Sequence, residues 1–427
     1  MLLQPPYKNI LGDHFSLLPI LVSPFYWITG SYTMLLFQIA SILFGGFGIY
    51  QYFRNKNFSE PFSLLAMIHF FSIWGIYSAL AFDYHDNVVA AMLVPWFILF
   101  FEKANWKKAT IFFILICISK ENIAIWAVFI SLGLCLLHLN ERKKIKAALL
   151  YLVFAATYAF VIIKFVMPGL TNDQFSYHHF NFDALGNNFK DALVTVFTKP
   201  AYTFSLLFEN HLEDSSSFGI KSELHFMILA SGGIALIFKP QYLVMLLPIY
   251  AQKLFNNSFE IWGLNSHYSI EFVPVLTIAL FNWLSNLQER KRIKAGLACL
   301  LITITATASS LDYRVSKWYF TERHRFYQKS HYIPEYNTSE VYEGLKLIPE
   351  KASVSASSSL VPHLAFRDYI YQFPVINNAE YIALLEDDKY YPIGKNEFLN
   401  KVNEMKKSSH FQTVFSKDKI IIFKIVQ

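Results

Sequence analysis

Apolar runs recur along most of this chain, and the short polar loops between them alternate in charge. One set of loops is basic: Arg54 and Lys56; Lys103, Lys107 and Lys108; Arg142, Lys143, Lys144 and Lys146; Arg290, Lys291, Arg292 and Lys294. The loops between them carry Asp, Glu and His, as in Asp83-Tyr84-His85-Asp86 and Lys120-Glu121-Asn122. A helix crossing a bilayer needs about 20 apolar residues, and Lys and Arg collect in cytoplasmic loops. The basic loops are therefore expected inside the cell and the acidic, histidine-bearing loops on the opposite face. Chemistry carried by those residues would take place there.

Composition supports a membrane fold. Only 16% of the 427 residues are charged, while 54% are hydrophobic and 18% aromatic; soluble domains average roughly 25% charged. The net charge of +6 gives no nucleic-acid signal, because the excess is spread over membrane-flanking loops rather than one basic face. Cys117, Cys135 and Cys299 all lie in apolar runs and read as small buried hydrophobes, without a CxxC pair or disulfide framework. Met1 to Gly12 has no charged start followed by an apolar core, so no cleavable signal peptide is expected.

The apolar spacing predicts ten spans, at about 31–53, 61–80, 87–101, 108–120, 122–139, 147–167, 224–238, 241–255, 269–286 and 295–311. Placing Arg54 and Lys56 inside lets the topology alternate through all ten, with Lys239 also inside. Residues 1–30 then lie outside or at the outer interface. There, Pro19 and Pro24 make Phe15 to Ile28 a kinked or re-entrant segment. Residues 168–223 are expected to form an outer loop with amphipathic pieces such as Phe189 to Phe197 on the membrane surface. From Asp312 the composition turns polar. Its periodicity predicts helices near 339–347 and 395–407, and strands near 353–356, 369–373, 381–385, 411–416 and 419–426. The expected fold class is mainly α: a multi-pass transmembrane helical bundle over 1–311, then a small extracytoplasmic α/β domain over 312–427.

Four outer clusters could carry chemistry: Asp13-His14; Asp83, His85 and Asp86; Lys120-Glu121; and His267-Tyr268 with Glu271. An ionisable group at mid-membrane costs roughly 2.5–3.5 kcal/mol on insertion scales, so such groups need partners or a wet cavity. Neighbours on a helix point about 100° apart, so Lys120 is expected to reach Asp83 or Asp86 rather than Glu121. Plainer readings stand beside these. Lys120 and Glu121 can serve as interfacial anchors, His85 and His267 as ordinary hydrogen-bonding groups, and Asp13 as a turn residue. His178-His179 follows no metal spacing and reads as structural. No P-loop, GxGxxG, HExxH, GxSxG or zinc-knuckle pattern stands in a suitable context, which argues against soluble-type nucleotide or zinc chemistry.

The run Asp13-His14-Phe15-Ser16, with Pro19 and then Pro24-Phe25-Tyr26, resembles the HFSP…PLY signature of a bacterial family of multi-pass membrane proteins (domain of unknown function 2079), grouped with the GT-C glycosyltransferases. The resemblance continues through Gln38, Phe82-Asp83-Tyr84-His85, Lys120-Glu121-Asn122 and His267-Tyr268-Ser269. In the tail it includes Ala352 to Ala356, Pro362-His363-Leu364, Arg367, Tyr371 and Phe373-Pro374. Family members begin with a membrane helix and an outer loop bearing a DLGIFDQ-like acidic motif, and this sequence starts after that point. Either Met1 is an internal start or the chain lacks that helix and its acid.

Membership would imply a GT-C-like bundle in the bacterial inner (cytoplasmic) membrane. It would also imply glycosyl transfer from a polyprenyl-phosphate-linked sugar to a glycan or protein acceptor on the non-cytoplasmic face, with membrane lipid as a partner and no nucleic acid. Such a reaction needs a carboxylate for the acceptor hydroxyl and cationic or metal-held groups for the departing phosphate. Asp13 or Asp83 would supply the carboxylate, with Glu121 as an alternative. His14, His85, Lys120, His267, Tyr268 and, in the outer domain, Arg367 would contact phosphate or sugar. A divalent metal (Mg²⁺ or Mn²⁺) at Asp83 and Asp86 is compatible with this chemistry but not required by it. The rival expectation is a non-catalytic membrane protein, either a lipid-carrier transporter or a scaffold for envelope-polysaccharide assembly.

Overall fold

The computed structural model describes residues 9–171, 179–212, 214–316, 321–386 and 390–426. The chain divides into two compact units.

The larger unit, 6–24 with 34–325, is helical. All ten apolar runs form helix, for reasons visible in the sequence. Pro61 and Pro240 stand in the first turns of Glu60–Ser72 and Pro240–Leu254, where a missing N–H costs nothing. Asn105 caps Trp106–Cys117 by accepting from Lys108 N, and Asn188 caps Phe189–Thr198 by accepting from Asp191 N. The count of spans is smaller than the sequence suggests. Among the described residues three helices are long and apolar enough to cross a membrane: Leu18–Asn55, Arg142–Gly169 and Glu289–Asp312. A fourth is added if Glu60–Ser72 and Trp74–Leu80, bent by 49°, act as one.

The rest fall short because the apolar runs are short or broken. Trp106–Cys117 has 12 residues, about 18 Å of helix at 1.5 Å per residue, against a hydrocarbon core of about 30 Å. The run expected at 224–238 breaks at Leu229–Gly233, where Gly232 takes φ 88° with Leu280 packed against it. Over Phe15 to Ile28 the chain forms helix Leu18–Val22, a 3-10 turn at Ser23–Phe25 and helix Tyr26–Thr29. Within the 168–223 segment, Phe189–Thr198 leaves Phe189, Val194 and Phe197 exposed while Ala192 is buried.

The charge pattern of the loops becomes a spatial segregation. At one end of the helices Lys56 Nζ donates to Asn282 Oδ1 (2.9 Å), Arg292 lies over Phe58, and Glu102 pairs with Lys144 (3.0 Å) and His138 (3.3 Å). The histidine-bearing loops meet at the opposite end. There Trp74–Leu80 packs close enough that a Cβ on Gly75 would lie 2.8 Å from Ser269 O and 2.9 Å from Val273 Cγ2.

The smaller unit comprises 326–426 with 25–33 among the described residues. Strands β1 (Val354–Ala356), β2 (Ile370–Gln372), β3 (Tyr381–Leu385), β4 (Phe411–Lys417) and β5 (Ile420–Ile425) make one sheet in the order β2-β1-β3-β5-β4. β1 pairs in parallel with β2 and β3, while β5 is antiparallel to β3 and β4. Alternate residues serve opposite faces. Ala383, Leu385, Ile420 and Ile422 pack with helix Thr338–Leu345, and Ile382, Leu384, Ile421 and Phe423 with helix Lys395–Lys407. Coverage on both sides is why the central strands read as unbroken apolar runs. Residues 25–33 join this unit through Tyr26, which donates to Pro362 O (3.2 Å), and through Ser31 at His363 Nδ1 (3.2 Å).

Candidate functional site

Three loops and two helix starts of the larger unit converge on one polar region. Gln38, buried inside its helix, accepts from the backbone N–H of His85 (2.9 Å) and so fixes the 82–86 loop. His85 then stacks on His267, with ring centroids 3.5 Å apart and planes 19° apart; Phe82 flanks both rings, and Tyr268 packs on His267. His85 Nδ1 faces Asp83 Oδ1 at 3.5 Å, and the Asp83 side chain is 75% exposed. Asp86 is committed differently: its Oδ1 accepts from Tyr84 Oη (2.6 Å).

Behind the histidine pair, Asn87 Nδ2 donates to the buried carboxylate of Glu271 (2.8 Å). Lys253, fully buried, donates to the carbonyls of Ile261 (2.6 Å), Gly263 (2.9 Å) and Tyr268 (3.0 Å). The three carbonyls occupy the three donors of that side chain, and the contacts tie together the 259–268 segment that carries His267. These groups, with Lys120 and Asn122, line a cavity of about 30 Å³, room for a single water. Its wall is incompletely paired: among the described residues, Asn87 Oδ1, Asn122 Oδ1 and His267 Nδ1 are buried without a hydrogen-bond partner.

Lys120 itself is half-buried, and among the described residues no hydrogen bond or ion pair reaches its ammonium. Its charge is felt across the region. Burial lowers the pKa of His14, His85 and His267, and Lys120 pushes each further down; in His267 the shift is large, with His85 contributing more than Lys120. The three imidazoles are accordingly neutral at pH 7. Lys120 reaches neither Asp83 nor Asp86 as an ion pair, contrary to the pairing expected from helical geometry.

Beside this cavity lies a second group. Glu121, buried, accepts from His14 Nδ1 (3.1 Å) and from the Phe15 backbone N–H (3.0 Å). His14 stacks on His179 (4.0 Å, 18°), and His179 Nε2 donates to Asp13 Oδ1 (3.0 Å) and Asp13 O (3.1 Å). The donor atoms of Asp13, His14 and His179 lie within 4.8 Å of one another. Among the described residues this is where metal-ligating side chains gather, while Asp83 and Asp86 belong to no such group.

Asp13, His14, Asp83, His85, Asp86, Lys120, Glu121, His267 and Tyr268 thus all lie in this one region of the larger unit. Arg367 belongs to the smaller unit, where its Nη1 donates to the carbonyls of Pro349, Glu350 and Ala352. Sequence reasoning missed Asn87 and Lys253 and read His179 as structural. Lys253 carried a signal, a lone cation near the end of an apolar run. His178 lies outside the described residues.

No curated protein matches this chain. A family model described as "Predicted membrane protein (DUF2079)" matches residues 3–422. That match takes in both units and every residue of the region just described, and the chain belongs to this family of predicted membrane proteins.

Proposed function

We propose that this protein is a GT-C-type glycosyltransferase, moving a sugar from a polyprenyl-phosphate carrier to a glycan or protein acceptor on the non-cytoplasmic face. One observation carries the reading. The Lys120 ammonium, without an ion-pair partner among the described residues, lines a cavity whose wall holds three buried polar atoms that also lack partners. A sugar phosphate supplies what that wall lacks: negative charge for Lys120, and hydroxyls for Asn87 Oδ1 and Asn122 Oδ1. The cavity has the volume of a single water, so it would admit one hydroxyl of the sugar and no more. The rest of the head group would lie against the stacked rings of Phe82, His85 and His267.

Lys120 would offset charge gathering on the departing phosphate. Asp83, exposed beside His85, is the carboxylate able to accept a proton from an incoming hydroxyl. Glu121 is already engaged by His14 and the Phe15 N–H, which suits it to positioning rather than proton transfer. The basic loops cluster at the far end of the helices, as the charge rule expects if this end faces out of the cytoplasm.

The test is transfer of labelled sugar from a polyprenyl-phosphate donor in membranes carrying the full chain. Wild type should transfer, and Lys120→Met and Asp83→Asn should each lose roughly 10²–10³-fold, the range for removing one transition-state contact. Undiminished transfer in both variants would remove this site. No transfer by wild type would favour a carrier-lipid transporter or scaffold.

A further inference from the structure

The cluster at Asp13, His14 and His179 has a different chemistry from the Lys120 cavity. It offers one carboxylate and two imidazoles, each side chain about one-third exposed: 30% for Asp13, 33% for His14 and 35% for His179. Solvent can therefore enter, and an added ligand would have an open position.

A buried carboxylate already stands behind His14. The Glu121 carboxylate can only accept, so the 3.1 Å contact with His14 Nδ1 puts the proton on Nδ1 and leaves the lone pair on Nε2. A carboxylate behind an imidazole in this way fixes tautomer and ring orientation for a metal ion on the other nitrogen. Glu121 is itself held by the Phe15 N–H, which belongs to the same loop as Asp13 and His14. A buried carboxylate spent on orienting a half-exposed histidine is costly for a turn residue and ordinary for a ligand.

We propose that Asp13, His14 and His179 bind one divalent transition-metal ion of the zinc type, with Glu121 as the positioning carboxylate behind His14. Two imidazoles and one carboxylate favour such an ion over Mg²⁺, which prefers an all-oxygen octahedral shell. Three protein ligands and a solvent position match the coordination of open zinc sites.

Binding requires local rearrangement. Zinc bonds of about 2.0–2.1 Å set ligand atoms roughly 3.3 Å apart in a tetrahedron, so the atoms now within 4.8 Å must draw together. The near-parallel rings of His14 and His179 must also unstack, because a metal lies in the plane of each imidazole it binds. Nε2 of His179, now hydrogen-bonded to Asp13, must instead present its lone pair to the metal.

Metal binding here does not depend on the transferase reading, and its readout is metal itself. The full chain, purified in detergent without a histidine tag and stripped with chelator, is titrated with Co²⁺ and Zn²⁺. The expected result is one ion per chain, with visible d–d absorption for Co²⁺ that Zn²⁺ displaces. Asp13→Asn and His179→Gln should each abolish it. Glu121→Gln should weaken it about 10–100-fold, as outer-shell losses typically do, and Asp83→Asn should leave it unchanged. Thermal unfolding of each variant confirms folding; His179→Gln, at a half-exposed side chain, keeps the test valid if Asp13→Asn fails to fold. No Co²⁺ uptake by wild type, uptake retained in His179→Gln, or loss in a folded Asp83→Asn would each overturn the site.

Discussion

His85 and His267 lie face to face, ring centroids 3.5 Å apart, although one sits in the loop before helix Asp86–Glu102 and the other in the loop before Phe272–Leu284. Two imidazoles at that distance cannot both be charged without severe repulsion. Burial and the nearby Lys120 hold both below the usual histidine pKa, with His85, Lys253 and His14 adding to the effect on His267 and Asp83 and Asp86 opposing it at His85.

The sign of the resulting pH dependence follows from linkage. A histidine whose folded pKa lies below its unfolded value near 6.5 stabilises the fold fully above that value, and the stability is lost as pH falls below it. Thermal unfolding in detergent should therefore show a midpoint that is flat above about pH 7 and declines toward pH 5. His267→Asn should flatten the decline. An equally steep decline in that variant would assign the effect to other groups.

Lys253 is expected to be structural. Lys253→Met removes the donor from the carbonyls of Ile261, Gly263 and Tyr268, and each buried acceptor left unpaired costs about 1–3 kcal/mol. The unfolding midpoint should drop by several degrees, with added proteolytic sensitivity in the 259–268 loop. A variant as stable as wild type would contradict the clamp.

How far the sequence could reveal all this differs by level. Apolar runs and capping residues such as Asn105 and Asn188 announce helices, and the short apolar runs of the tail announce strands, because these depend on near neighbours. Span number was not legible in the same way, since helices such as Trp106–Cys117 stop short and Gly232 breaks a run whose composition alone suits a membrane. The site was legible as residue types but not as partnerships. His14 meets Glu121 across 107 positions, and Asp13 meets His179 across 166; no local period encodes either contact. For that reason His179 looked structural and Lys120 was assigned the wrong partners.

Gly75 gives a steric test of how the site loop is seated. Gly75→Ala would bring a methyl within 2.8 Å of Ser269 O, and overpacking of this kind costs about 1–3 kcal/mol. The variant should be destabilised by that amount, and its displacement of 267–271 should weaken donor binding. Unchanged stability and binding would show that the loop yields freely.

Sidedness can be read by cysteine labelling in intact cells, in a background with Cys117, Cys135 and Cys299 replaced by alanine. Asp83→Cys, at an exposed side chain, should react with a membrane-impermeant maleimide added outside. Arg290→Cys, exposed in the first turn of Glu289–Asp312, should react only after lysis. The reverse pattern would invert the assignment of faces.

The most direct test of the Lys120 site is binding of a short-chain polyprenyl phosphate against the corresponding polyprenyl alcohol, measured by native mass spectrometry of the full chain in detergent. Hydrogen bonds to charged groups contribute about 1.5–3 kcal/mol, at least tenfold in affinity. Wild type should favour the phosphate by that margin, and Lys120→Met should lose the preference while still binding the alcohol. A wild-type protein that holds both lipids equally, or a Lys120→Met variant that keeps the full preference, would contradict the account.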